Sequence, residues 1–114
     1  SKLSLDEQQN QMDKSMTTPI YAIVVLKAKP GRLEDLKTAL EALALETRKE
    51  PGCLSYTYIQ DTNHDANTLV SYEKWESAEA EAAHWQTPHM QAILAQAGDI
   101  LGDTPIIHRG PQII

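Results

Sequence analysis

The run Ile20-Tyr21-Ala22-Ile23-Val24-Val25-Leu26 restricts the fold more than any other stretch of the chain. It is apolar on both alternating faces, and its length and β-branched content mark a strand rather than a helix. A strand of that kind needs cover on both sides. Lys29-Pro30-Gly31 ends it. The elements that follow must therefore account for two buried faces.

The first covering element is plain. Leu33, Leu36, Leu40 and Leu43 recur at spacings of three and four, which is one stripe of an amphipathic helix. Glu34 and Asp35 fall in its first turn and Arg48 and Lys49 in its last, matching the helix dipole. Pro51-Gly52 stops it. Residues 53–60 read as a second strand, with Leu54, Tyr56 and Tyr58 on one face and Cys53, Ser55, Thr57 and Ile59 on the other. Residues 61–67 are polar turn material. Their D-x-N-x-D spacing resembles the start of a calcium loop, but Ala66 and Tyr72 stand where such a loop needs Gly and Glu.

Residues 68–75 form a third strand, with Leu69, Ser71, Glu73 and Trp75 on one side and Val70 and Tyr72 on the other. Ser77 suits an N-cap, with Glu79 and Glu81 in the first turn behind it. That helix is expected to run to about residue 86, where Thr87-Pro88 breaks it and starts another. Met90, Ile93, Leu94, Ala97 and Leu101 make a second apolar stripe, which Gly98 and Gly102 can close. A short last strand over 105–108 and an apolar tail over 111–114 complete the chain.

The order is βαββαβ, which gives an α+β, ferredoxin-like antiparallel sheet with its helices on one face. The other face, apolar in the first two strands, is left without cover and calls for a partner or a ligand. Two such sheets face to face would close a barrel, so a homodimer is expected. Residues 1–17 stand apart as a flexible N-terminal extension, with a short amphipathic helix over 5–12 as the alternative; the domain is 18–114. Few apolar groups there offset the cost of ordering the backbone. The extension lacks the apolar core of a signal peptide, and Ser1 in place of Met suggests a trimmed or processed chain.

Composition narrows the function. A net charge of −6 disfavours binding to a phosphate backbone, so no nucleic-acid partner is expected. No apolar run approaches the roughly 20 residues of a membrane-spanning helix. Cys53 is the only cysteine, which excludes an intrachain disulfide and a cysteine-based zinc site and fits a cytoplasmic protein. His84 and His89 are five residues apart across a helix break with no third ligand evident, so no metal site is expected.

Four segments together carry a resemblance: Lys29-Pro30-Gly31 before an acidic helix, Glu50-Pro51-Gly52-Cys53-Leu54-Ser55-Tyr56, Tyr72-Glu73-Lys74-Trp75-Glu76-Ser77, and His84 followed by Thr87-Pro88-His89. In this order, over residues 19–109, the chain resembles the antibiotic biosynthesis monooxygenase family. The resemblance implies a dimeric α+β barrel and, in one branch, monooxygenases without cofactor that oxidise hydroquinones or polyphenolic aromatics with O₂. Haem-degrading enzymes and a sugar-phosphate isomerase are also implied by the family. The stretch over 90–97, where the haem-degrading relatives carry an iron-ligating histidine, has none here, and Leu94 lies near that position. A non-enzymatic barrel that only binds a small molecule is the alternative from another class.

An oxygenase without cofactor needs an electron-rich substrate, a base for its phenolic proton, and a pocket that excludes water. His84 is the candidate base. Glu73 is the second catalytic candidate, as a group that could orient a histidine; a salt-bridged structural acid is its other reading. Trp75, His89 and Tyr72 are the substrate-binding candidates. Trp75 would stack on an aromatic ring or else sit in the core, and His89 would donate a hydrogen bond to a substrate oxygen or cap its helix. His64 and His108 read as structural, and Arg109 as either an ion-pair partner or an anion binder.

Overall fold

The computed structural model describes residues 2–8 and 18–114. Residues 5–8 are helical, and Ser4 Oγ accepts from the Glu7 amide at their start. This start accords with the alternative reading of a short helix over 5–12; the rest of that stretch, and of the extension, lies outside the described residues. The domain runs β1 (Ile20–Lys27), α1 (Leu33–Thr47), β2 (Cys53–Gln60), β3 (Thr68–Trp75), α2 (Ala78–His84), α3 (Pro88–Ile100) and β4 (Ile106–Gly110). All pairings are antiparallel, in the order β2-β3-β1-β4. This is the ferredoxin-like arrangement expected from the element order.

The register sorts the side chains. Ala22, Val24 and Leu26 of β1 lie opposite Glu73, Ser71 and Leu69 of β3, and all six are buried beneath the helices. Leu36, Leu40 and Leu43 of α1 and Met90 and Ile100 of α3 close over them. Ile23 pairs with Tyr72, and Val25 with Val70 and Ile106, on the opposite face. That face keeps Ile23, Ile59, Tyr72 and Ile106 exposed. Among the described residues, no helix is long and apolar enough to cross a membrane.

Local chemistry explains where the elements begin and end. Gly31 has φ +80°, a left-handed conformation that a side chain disfavours, and it turns the chain from β1 into α1. Lys29 Nζ and Arg32 Nη1 from that turn donate to the Gly98 and Asp99 carbonyls, satisfying the C-terminal end of α3. The helix runs through Gly98 to Ile100, so this glycine does not close it. At the far end of the β2–β3 hairpin the Asp61 carboxylate accepts from the Asn63, His64 and Asp65 amides. These bonds hold its carboxyl below the usual range.

Several boundaries differ from expectation. Helix α1 stops at Thr47, before Arg48 and Lys49. Arg48 turns back and donates from Nε and Nη2 to the Tyr56 carbonyl, a stronger use of its charge than the helix dipole. Leu54 does not share the inner face with Tyr56. A bulge between Cys53 and Ser55 breaks the alternation and leaves Leu54 exposed. Helix α2 ends at His84 rather than 86, and β4 is displaced towards Gly110.

Candidate functional site

Three short segments converge at one end of the sheet. Glu50 lies in the tight turn between α1 and β2, where its amide bonds to the Thr47 carbonyl and its carbonyl accepts from Cys53. His84 is the last residue of α2, and His89 is in the first turn of α3. The break between these helices is built locally. Thr87 donates its hydroxyl to the His84 carbonyl and accepts from the Met90 amide, and Pro88 starts α3 without needing an amide partner.

Close packing brings the turn to the helix. Gly52 lies against Ala80 so closely that a Cβ at position 52 would overlap the Ala80 methyl. With α2 seated there, His84 Nδ1 lies 2.8 Å from Glu50 Oε2, and His89 Nε2 lies 2.7 Å from the same oxygen. A carboxylate only accepts, so both nitrogens donate. In the neutral imidazole, donation from Nδ1 leaves the lone pair on Nε2. Its side chain is 2% exposed, against 13% for Glu50 and 20% for His89.

His84 also forms part of the wall of a cavity of about 290 Å³ between the sheet and the helices. The wall is largely aliphatic, from α1, α3 and β1. Its polar members include His84, Glu73, Tyr56 and Tyr58, with Trp85 beside them. The two phenol oxygens lie 2.8 Å apart. Burial pushes both phenols well above their ordinary range, so they serve as neutral hydrogen-bonding groups.

Glu73 is in the wall, as its position on β3 requires, but it does not orient the histidine. Its Oε2 accepts from Ser71 Oγ at 2.6 Å and its Oε1 from Trp75 Nε1 at 3.0 Å. Burial raises its carboxyl above the usual range, and those two hydrogen bonds pull the other way. The orienting carboxylate is Glu50, which sequence reasoning missed. An acid just ahead of Pro51-Gly52 reads as a helix end, and its meeting with His84 spans 34 residues.

None of the three substrate-binding candidates lines the cavity. Trp75 is fully buried and does not reach the cavity; its ring backs that of His84 at 4.7 Å between centroids. The aromatic in the wall is Trp85, whose indole donates to Glu81. Tyr72 points to the opposite face of the sheet, 56% exposed, as strand alternation demands. His89 is engaged by Glu50 and is not in the wall. The two histidines expected to diverge across the helix break instead meet on one oxygen. Arg109 pairs with the buried Glu81 at 2.9 Å.

Residues 19–96 match the family model described as antibiotic biosynthesis monooxygenase. A Synechocystis relative named as an uncharacterised protein is 30% identical over 77% of this chain, and the match spans 59% of that relative's length. "Putative monooxygenase Rv0793" of Mycobacterium tuberculosis is 33% identical over 75% of this chain and 83% of its own. Its solved structure superposes with a TM-score of 0.80 at 27% identity, covering 85% of this chain and 97% of that one. A Pseudomonas aeruginosa structure, PA3566, gives 0.79 at 30% identity, covering 87% and 98%. With the family model spanning most of the domain and these folds superposing on it, the chain belongs to the antibiotic biosynthesis monooxygenase family.

Proposed function

We propose that this protein is a monooxygenase that oxidises a small hydroquinone or phenol with O₂, using His84 as the base and no cofactor. The observation that carries this reading is His84 itself: sealed from solvent, fixed through Nδ1 by Glu50, and set in the wall of an apolar cavity. An acid on one imidazole nitrogen fixes the tautomer and leaves the other nitrogen to take a proton. The cavity volume is close to the lower bound of ligand pockets, about 300 Å³, and suits one or two fused rings. The relatives named as monooxygenases point the same way.

In the reaction, His84 Nε2 takes the phenolic proton. The resulting anion is electron-rich enough to reduce O₂ directly. One oxygen atom forms a bond to a ring carbon, that carbon loses its hydrogen, the O–O bond breaks, and the second oxygen leaves as water. The balance is a phenol with a free ring C–H plus O₂ giving a quinone plus H₂O. Tyr56 and Tyr58 offer hydrogen bonds to the substrate oxygens, and the aliphatic wall excludes water. A homodimer joined through the exposed sheet face is part of the same reading, supported by the apolar residues there. The lone cysteine supports a cytoplasmic setting.

The test is oxygen uptake with a panel of hydroquinones and naphthols, with and without added flavin and metal. One O₂ should be consumed per quinone formed, without accumulation of peroxide. His84→Ala should lower turnover by about 10², measured on protein whose fold is checked by circular dichroism because the lost imidazole leaves a cavity beside Trp75 and Tyr56. Binding of the panel with no oxygen uptake would instead make the cavity a binding site only. An unchanged rate in His84→Ala would remove the base.

A further inference from the structure

The geometry points to a second capacity at the same corner of the fold: Glu50, His84 and His89 form a binding site for a single divalent transition-metal ion. Their three ligand atoms all lie within 4.8 Å of one another. Glu50 Oε2 is already 2.8 Å from His84 Nδ1 and 2.7 Å from His89 Nε2. Metal–ligand bonds of about 2.0–2.2 Å need donor atoms roughly 3 Å apart. To hold an ion the carboxylate oxygen must ease away from both nitrogens, while the nitrogens, which lie within 4.8 Å of each other, turn towards a common point.

Donor chemistry selects the ion. Two imidazoles and one carboxylate suit Zn²⁺, Fe²⁺, Co²⁺ or Ni²⁺, and not Ca²⁺ or Mg²⁺, which prefer oxygen alone. Three protein ligands leave the remaining positions for water or another small ligand. The surroundings supply a rigid frame and an entry. The rings of Trp75 and Tyr56 hold the His84 ring at 4.7 and 5.6 Å. Glu50 and His89 retain the partial exposure through which an ion would arrive. Helix α2 is pinned at its start by Ser77 and beside Gly52, so the three ligands come from elements already fixed in place.

The ion would take the place of the two N–H···O contacts, with His84 bound through Nδ1 and His89 through Nε2. The His84 proton then sits on Nε2. A loaded site and a His84 base therefore exclude each other; this consequence alone rests on the proposed oxidation, and the site itself does not.

The experiment uses the full chain, stripped of metal and free of any substrate. Co²⁺ is added while the visible ligand-field absorption is recorded, and Zn²⁺ is titrated by calorimetry. One ion per chain is expected, with Co²⁺ bands that Zn²⁺ displaces and a rise in melting temperature on loading. Glu50→Gln and His89→Gln, each checked for fold by circular dichroism, should weaken binding by at least about tenfold. Absence of stoichiometric binding by the parent chain overturns the site. So does binding unchanged in both variants, which would place the ions on the acidic surface. Because no turnover is measured, a failure here leaves the oxidation reading standing, and a failure of that reading leaves the site standing.

Discussion

At the scale of single residues, the corner where Glu50, His84 and His89 meet is a matter of which atoms already have partners. His84 was legible as an imidazole on the helix beside the third strand. Glu50 was not, because nothing along the chain marks an acid at a helix end as the partner of a residue 34 positions on. The one usable hint is chemical: a buried histidine needs something to fix its tautomer. The sequence leaves Trp75 between stacking on a substrate and sitting in the core, and the structure has it in the core. Alternation put it on the inner face, as the structure does, but alternation says nothing about depth, and at the end of β3 helix α2 covers it. Glu73 has a consequence that can be measured. Burial lifts its carboxyl above the unfolded value. Such a group favours folding in its protonated form, and that contribution is lost as pH rises through its folded pKa. Glu73→Gln stays neutral throughout. The wild type should therefore lose stability relative to this variant as pH is raised from about 4 to 7, and the two should converge at the acid end. Thermal melts across that range check it, and a gap independent of pH would mean the carboxylate is not penalised by burial.

At the scale of elements, the apolar patterns of β1, β2, β3, α1 and α3 are long enough to be read directly, while α2 is marked by its Ser77 cap and the Thr87-Pro88 break and β4 by a short apolar run. The errors of pattern reading fell where a local interaction overrides the repeat. The bulge at Cys53 and Ser55 shifts Leu54 outward, and the Tyr56 carbonyl draws Arg48 away from the helix end. The contact between the Pro51-Gly52 turn and α2 was invisible in sequence, because it depends on two backbones meeting. Gly52→Ala tests it. A methyl there collides with Ala80, so α2 must shift. Overpacking of this kind costs about 1–3 kcal/mol. In a domain of this size that lowers the melting temperature by several degrees. Paired with Ala80→Gly, the loss should be partly recovered. A melting temperature unchanged in Gly52→Ala would show that the turn and helix have room to part.

At the scale of the whole molecule, the apolar run that opens the domain is covered on one side only. Ile23 and Tyr72, paired across β1 and β3, are exposed together at the middle of the other side. A second chain is the occupant we propose for it. Light scattering should give twice the chain mass. Ile23→Glu should halve it by setting a charge into the joined surface. A parent chain that is monomeric at micromolar concentration would leave that face for some other cover.

The break at Thr87-Pro88 carries a consequence for how such a chain can drift. His84 and His89 meet on one oxygen only because the four residues between them reset the helix direction by a fixed amount. Losing or gaining a single residue there would swing His89 by about 100° around its helix and take it off Glu50. The β2–β3 turn at the other end of the sheet is held by the Asp61 carboxylate within its own loop. Among the described residues it reaches β1 and Ala28 only through Asp65 to Lys27 and Asn67 to Ala28, so it tolerates a change of length better. Insertions and deletions in descendants of this chain should accumulate at 61–67 and be absent from 85–88.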